Sequence, residues 1–400
     1  MTKFAISLSQ AQNPKAMAEE LAEKLTRGVV GEGCGSLSLG GALILATAAV
    51  GHDILKVGEE LAERCPDASV LGTSFEGVIA EGSLYRGVPA VVAIGWAAAD
   101  AEAPIPLILD SGAVEADRMA AAIRDLTGRS AFAPGDLILL FPDAHHSPRF
   151  GAAIAELGPM LAPACIAGSG ASGLDGYPAH TFFGGEGLAE AVIGLFIPAG
   201  SGGDPRRVGQ AGATRSASPW LEITRCRRRW IDELDGEPAL DWVRRQMGLD
   251  EQALIEPYLD RLLARVRLRA ATPDSSDDDD YEERYVIGLD ARRGSFSWPG
   301  RFSRGDELAL ALPDGGWARE RLQCAVDGLP PSSLLFQFAC RARDEALHGD
   351  PGLEAAWLAH CAGDRRVLGT IAPFQIAMSA GTQVCRTLVH STVLAALGPL

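Results

Sequence analysis

The strongest constraint on this chain is that it contains part of itself twice. The stretch ALILATAAVGHDILKVGEELAERCPDASVLGTSFEGV, from Ala42, lies over DLILLFPDAHHSPRFGAAIAELGPMLAPACIAGSGASG, from Asp136. Each copy opens with a short apolar run, Leu43 to Ala46 or Leu137 to Phe141, that reads as a buried strand and leads into a polar loop. Ile54, Leu55, Val57, Leu61 and Ala62 in one copy, and Ile154, Leu157 and Leu161 in the other, recur at spacings of three and four, which predicts an amphipathic helix. A second strand then runs into glycine, a small hydroxyl residue and a turn, and VPAVVAIGW and AEAVIGLFIP close the copies as further strands. A duplicated β-α-β-β unit argues for an α/β fold of mixed β-sheets with outer helices rather than a single parallel sheet, and it is compatible with layered αββα sandwiches.

The glycines of the second copy pose a question of chemistry. In CIAGSGASGLDG, Gly168, Gly170 and Gly173 stand at the G-x-G-x-x-G spacing of dinucleotide-binding loops. Such a loop must open a helix, because amides at a helix N-terminus hold the pyrophosphate. Here Gly176, Pro178, Gly184 and Gly185 follow within the next dozen or so residues and break any helix. The first copy keeps only Gly72 and Gly77 at this place, so the dinucleotide spacing reads as accidental. Two readings remain open: a tight turn built on positive φ, or a loop whose amides and hydroxyls, from Thr73, Ser74, Ser169 and Ser172, contact a small ligand. GTSFEG resembles a nucleophile elbow, yet its closing glycine comes one residue late and strand-like GVIAEG follows. A serine-dependent hydrolase is therefore carried as the competing class, with Ser74 or Ser172 as nucleophile.

Bulk properties exclude other classes. With 52 acidic and 36 basic residues the formal charge is −16, which repels nucleic acid and anionic lipid. No apolar run approaches the roughly 20 residues that span a bilayer, and the N-terminal stretch lacks a secretory core, so the expected location is cytoplasmic. The eight cysteines form no C-x-x-C pair and are expected to be reduced and mostly buried. No metal site is expected, because the adjacent pairs His145-His146 and His360-Cys361 do not converge on one ion without a sharp bend.

Residues 1–200 thus read as a first domain with both copies, and AGSGGDPRRVGQAGATRSASP as the boundary to a second domain over 209–400. In the latter, Arg225, Arg227 and Arg229 share one strand face, Pro238 suits a helix start, and 272–283 is a solvated acidic loop. SSLLFQFACRARDEALHGD reads as an apolar strand ending at Arg341 and Arg343, whose guanidiniums suit a carboxylate. VLGTIAPFQIAMSAG and QVCRTLVHSTVLAAL read as late strands of the same domain.

The order of VLGTSFEGVIAEG, CIAGSGASG, IDELDGEPALDWV, YVIGLDARRGSFSWPGRFSRGDEL, LLFQFACRAR and LVHSTVLAAL resembles the FIST family, with its FIST N and FIST C domains, from about residue 40 to 397. The resemblance implies a non-enzymatic small-ligand sensor for signal transduction, its ligand an amino acid or related metabolite, partnered with a signalling protein such as a histidine kinase. Some members bind haem and sense nitric oxide, and His145 and His146 would be the first residues to test for that. Where the family's strand reads LLFSCxGRG, this chain has Phe338 for the cysteine and Cys340 for a glycine, while Arg341 matches. Its late Gly-Glu pair is Phe374-Gln375 here, so a carboxylate is lost, and GQAGATRSASP lacks the family's cysteine-arginine-proline. The expected ligand contacts are Thr73, Ser74, Ser169, Ser172, Arg341, Arg343 and Gln375, in a pocket that binds either a different, less cationic molecule or none.

Overall fold

The computed structural model describes residues 4–30, 38–97, 103–109, 115–199, 206–250, 254–259, 261–267, 281–300, 302–378 and 384–398. The chain divides into two compact units, Met1–Gly212 with Arg319–Leu400, and Ala213–Ala318. The expected second domain over 209–400 is therefore not one body. Its middle forms a unit of its own, and its last segment belongs with the N-terminal half.

The first copy comprises β1 (Phe4–Ser9), α1 (Pro14–Val30), β2 (Leu39–Thr47), α2 (Asp53–Arg64), β3 (Ser69–Phe75), the hairpin β4 (Gly77–Ala80) and β5 (Ser83–Arg86), and β6 (Val91–Ala97). The second repeats this order with β7 (Ile105–Leu109), α3 (Ala116–Thr127), β8 (Leu137–Phe141), α4 (Ser147–Leu161), β9 (Cys165–Ser169), the hairpin β10 (Thr181–Phe183) and β11 (Glu186–Leu188), and β12 (Val192–Ile197). β13 (Val208–Gly212) begins a third copy that the sequence reading missed.

The chain then enters the second unit, through β14 (Thr214–Ser216), β15 (Leu221–Arg227), β16 (Trp230–Leu234), β17 (Glu237–Pro238), α5 (Ala239–Gln246), β18 (Leu263–Arg267), β19 (Glu282–Tyr285), β20 (Gly288–Asp290), β21 (Ser295–Ser297) and β22 (Glu307–Pro313). These strands form one nine-stranded sheet around Ile223, Trp242, Phe296 and Trp298. Pro238 precedes α5 as expected. Arg225 and Arg227 pair with Glu233 and Asp232, as fits a surface strand face. Residues 272–280 of the acidic loop lie outside the described residues. Glu283, counted at its end, is instead buried against Arg265.

The third copy resumes with α6 (Gly315–Gly328), β23 (Leu334–Cys340), α7 (Glu345–His348), α8 (Leu353–Ala362), β24 (Arg366–Ala372), the hairpin β25 (Gln375–Met378) and β26 (Cys385–Leu388), and β27 (Ser391–Leu397). Each copy contributes four strands to a sheet of its own and lends its hairpin to another. The sheets run β1-β6-β2-β3-β10-β11, β7-β12-β8-β9-β25-β26 and β13-β27-β23-β24-β4-β5. The described part of VLGTIAPFQIAMSAG, residues 367–378, is thus the third copy's second parallel strand followed by a hairpin strand in the second copy's sheet, not a late addition to another domain, and residues 379–381 lie outside the described residues.

Strand alternation sends one set of side chains inward and the other outward. Leu43, Leu45 and Phe75, Leu139 and Phe141, and Phe336 and Phe338 meet in one core shared by the three sheets. The outward sets are covered by helices, with Val57 and Leu61 of α2 on the first sheet, Ile154 and Leu157 of α4 on the second, and Leu358 of α8 on the third. Mixed sheets with outer helices are as expected, with three such layers closing on one centre. Cys165, Cys340 and Cys385 are buried but Cys324 is exposed, so the thiols are less uniformly internal than composition implied.

The repeated glycine has a different role from the turn expected of it. Gly72, Gly168 and Gly369 lie within β3, β9 and β24, paired in parallel with Ile44, Leu140 and Gln337. A Cβ at each would press into the carbonyl oxygen of that partner, so close backbone approach excludes a side chain.

The copies part company beneath their crossover helices. Counting from the shared glycine, Ile44, Val57 and Val91 of the first copy correspond to Leu140, Ala153 and Val192 of the second, all apolar and buried. In the third copy the equivalents are Gln337, Glu354 and Thr392. The Glu354 carboxylate accepts from Arg343 Nε (2.6 Å), Gln337 Nε2 (3.2 Å) and Thr392 Oγ1 (2.5 Å), and lies 3.0 Å from His348 Nε2. Burial pushes its pKa up, but the Arg343 charge and the donors outweigh this and bring it down to about 2. Burial, aided by Arg343, pushes His390 down to about 4.

Two predictions follow from this packing. Gly369→Ala should destabilise by about 1–3 kcal/mol through overpacking, whereas Gly328→Ala, where nothing lies within 4 Å, should change little. Guanidinium unfolding reads the difference. Both depressed groups make the fold acid-sensitive, because the unfolded chain takes up protons that the folded one refuses. Stability should fall as pH drops from about 6.5 for His390 and from about 4.3 for Glu354. Glu354→Gln should remove the lower part of that fall in midpoints measured between pH 7 and 3.

Candidate functional site

The inner strands of each copy are a parallel pair joined by a right-sized helical crossover, and in such sheets ligands bind beyond the carboxyl ends. Here those ends converge. Phe75, Phe141 and Phe338, one from each copy, meet with ring centroids 5.8 Å and 5.9 Å apart. Phe338 thus fills part of this aromatic centre. Glu76 follows Phe75 directly, and its carboxylate lies 3.0 Å from Nη1 of Arg341, just past β23. Arg86 of the hairpin lies 3.3 Å from Glu76 and 3.4 Å from Asp344. Two acids and two arginines from the first and third copies so form a chain of pairs. Its side chains reach solvent, Arg341 at 56% and Glu76 at 18% relative exposure.

The other expected residues lie deeper. Thr73 Oγ1 is 2.9 Å from Thr181 Oγ1, across the junction of β3 with the exchanged hairpin strand β10. The Ser74 hydroxyl donates to the Ser172 carbonyl (3.0 Å) and accepts from the His180 amide (3.0 Å). Ser169 Oγ is 3.0 Å from Thr370 Oγ1, and Ser169 pairs in register with Gln375 of β25. Gln375 Nε2 donates to the Ala372 carbonyl, which also accepts from the Arg341 amide. Thr73, Ser74, Ser169, Ser172 and Gln375 are all buried; the hydroxyl contacts and the Ser169–Gln375 pairing tie one copy to another, whereas the bonds to Ala372 lie within the third copy.

Arg341 and Arg343 do not act as a pair. Arg341 faces the exposed chain of charges, while the fully buried Arg343 turns to Glu354 and donates through Nη1 to the carbonyls of Ala211 and His390. Of the histidines proposed for haem, His145 is exposed, with its amide donating to Asp143, and the His146 side chain lies outside the described residues. Sequence reasoning missed Glu76, Arg86, Asp344, Thr181 and Thr370. It also missed His180, whose imidazole is pushed below its usual range by burial and then by His52, 5.7 Å away edge to face. The signal for Thr370 was present, since VLGT occurs at 70–73 and again at 367–370. For Arg86 and Asp344 there was none, because their pairing depends on the exchanged hairpin.

Comparison with known proteins adds the family. A search of curated proteins finds no match. Among solved structures, cyanuric acid hydrolase from A. caulinodans is similar at 10% identity over 99% of both chains, with a TM-score of 0.31, a likeness too slight to bear on function. No described helix is long and apolar enough to cross a membrane. The family model of the FIST N domain matches residues 42–237, which run from β2 of the first copy through the second copy to β17 and include Phe75, Glu76, Arg86 and Phe141 but not Phe338, Arg341 or Asp344. Residues 42–237 of this chain are therefore a FIST N domain, the sensory domain of the FIST family.

Proposed function

We propose that the protein is a non-enzymatic sensory module that binds an amino acid, or a related zwitterionic metabolite, at Glu76 and Arg341. The observation that carries this is the solvent-reaching chain of opposite charges at the converged strand ends. An α-amino acid presents a carboxylate and an ammonium group, and it exchanges one internal ion pair for two external ones. Exposed pairs contribute only about 0–1 kcal/mol, so opening Glu76–Arg341 for a ligand loses little. Opening the buried Arg343–Glu354 pair would cost about 3–5 kcal/mol, which removes Arg343 from direct ligand contact. The buried hydroxyls then shape the junctions rather than touch the ligand. Output passes to a cytoplasmic signalling protein, such as a histidine kinase.

The competing hydrolase reading rests on Ser74 or Ser172. Ser74 has its hydroxyl committed to a carbonyl and an amide, an arrangement that serves a structural link. The deciding experiment is the thermal unfolding midpoint across a panel of amino acids, related metabolites, haem and NAD(P). A ligand at 100-fold its Kd should stabilise by about 2.7 kcal/mol and raise the midpoint. Arg341→Met and Glu76→Gln should each weaken the responding amino acid about tenfold or more, while Ser74→Ala changes affinity little. A response that survives both charge substitutions contradicts the site, and turnover abolished by Ser74→Ala or Ser172→Ala would establish the hydrolase instead.

A further inference from the structure

A sensor needs a route out of its ligand site, and the third copy differs from its siblings where such a route would run. In copies one and two the space beneath the crossover helix is apolar, so nothing in the repeated architecture requires charge there. Replacing apolar packing with a buried ionic cluster is at best neutral for stability. The segment that supplies this cluster, Arg341 to His348, has two faces. Arg341 and Asp344 engage Glu76 and Arg86 at the strand ends. Arg343 and His348 engage Glu354 in the first turn of α8. Arg343 Nη1 also holds the Ala211 carbonyl of β13, the strand from which the chain leaves for the second unit.

We infer that residues 341–348 are a coupling element, which passes a change at the Glu76–Arg341 pair to α8 and β13 through the Arg343–Glu354 clamp. The inference rests on the ligand site proposed above and adds its output path. Coupling requires an element with two available arrangements. Among the described residues, Arg343 Nη2, His348 Nδ1 and Gln337 Oε1 are buried without a hydrogen-bond partner. These are the donors and acceptors that a second arrangement around Glu354 would use, whereas the apolar packing of the other copies offers none.

The test perturbs one end and reads the other, in the full chain and without a ligand. Glu76→Gln releases the first copy's hold on Arg341, and amide hydrogen exchange by mass spectrometry follows Val208–Gly212 and Leu353–Ala362. The control elements are their first-copy counterparts, Phe4–Ser9 and Asp53–Arg64. Exchange in β13 and the first turn of α8 should change about threefold or more, within the range of measured couplings, with the controls unmoved. In a Glu354→Gln background the same substitution should leave β13 unchanged; if that background unfolds, the wild-type comparison alone decides. A response confined to residues near 76 and 341–344, or spread equally to the controls, overturns the coupling. Since no ligand enters this measurement, failure of the amino-acid panel would remove the ligand assignment while leaving the coupling result standing.

Discussion

Hairpin exchange holds the first unit together. β4 of the first copy pairs with β24, β10 of the second with β3, and β25 of the third with β9. Each copy therefore leaves its own sheet incomplete and closes another, and the cycle returns to its start after three steps. Two copies could not close it. The inward rows of Leu43 and Leu45, Leu139 and Phe141, and Phe336 and Phe338 bury one another only when all three sheets are present. The glycine of each parallel pair follows from the same closeness, because two backbones approach where a Cβ has no room.

From that closure comes the site. Parallel strands joined by crossover helices share a direction, so bringing three pairs together gathers their carboxyl ends at one place. There Glu76 and Arg341, far apart in sequence, become partners. Exposure then sorts the arginines. Arg341 sits where water screens its pair and exchange is easy, whereas Arg343 is enclosed with a carboxylate it cannot leave without stranding a buried charge. The hydroxyls at Thr73, Ser74 and Ser169 fall between these extremes, buried but neutral, and serve to register one copy against the next.

The sequence made the first two copies readable because their apolar residues recur at helix and strand periods and their glycines align. The third copy was equally present in VLGT and LLFQF, but two features hid it. Ala213–Ala318 interrupts it after its first strand, and Gln337, Glu354 and Thr392 break the apolar pattern at the outward positions where the other copies keep theirs. Residues on the strands themselves could be chosen from sequence, and Thr73, Ser74, Ser169 and Gln375, expected as ligand contacts, lie where one copy meets another. Arg86 and Asp344 could not be, because no local pattern records which sheet a hairpin joins. The direction of Arg343 was hidden for a related reason: two residues apart suggests one face only in a strand, and the strand ends at Cys340.

If the three copies close a single core, the exchanged hairpins cannot open separately. Native-state hydrogen exchange under increasing guanidinium measures this directly, through the amides of β4, β10 and β25. The account predicts that all three exchange with one common free energy, equal to that for global unfolding of the unit formed by Met1–Gly212 and Arg319–Leu400. Three distinct, lower opening energies would mean that each copy is stable without the others, and that the convergence at Glu76 and Arg341 does not depend on closure.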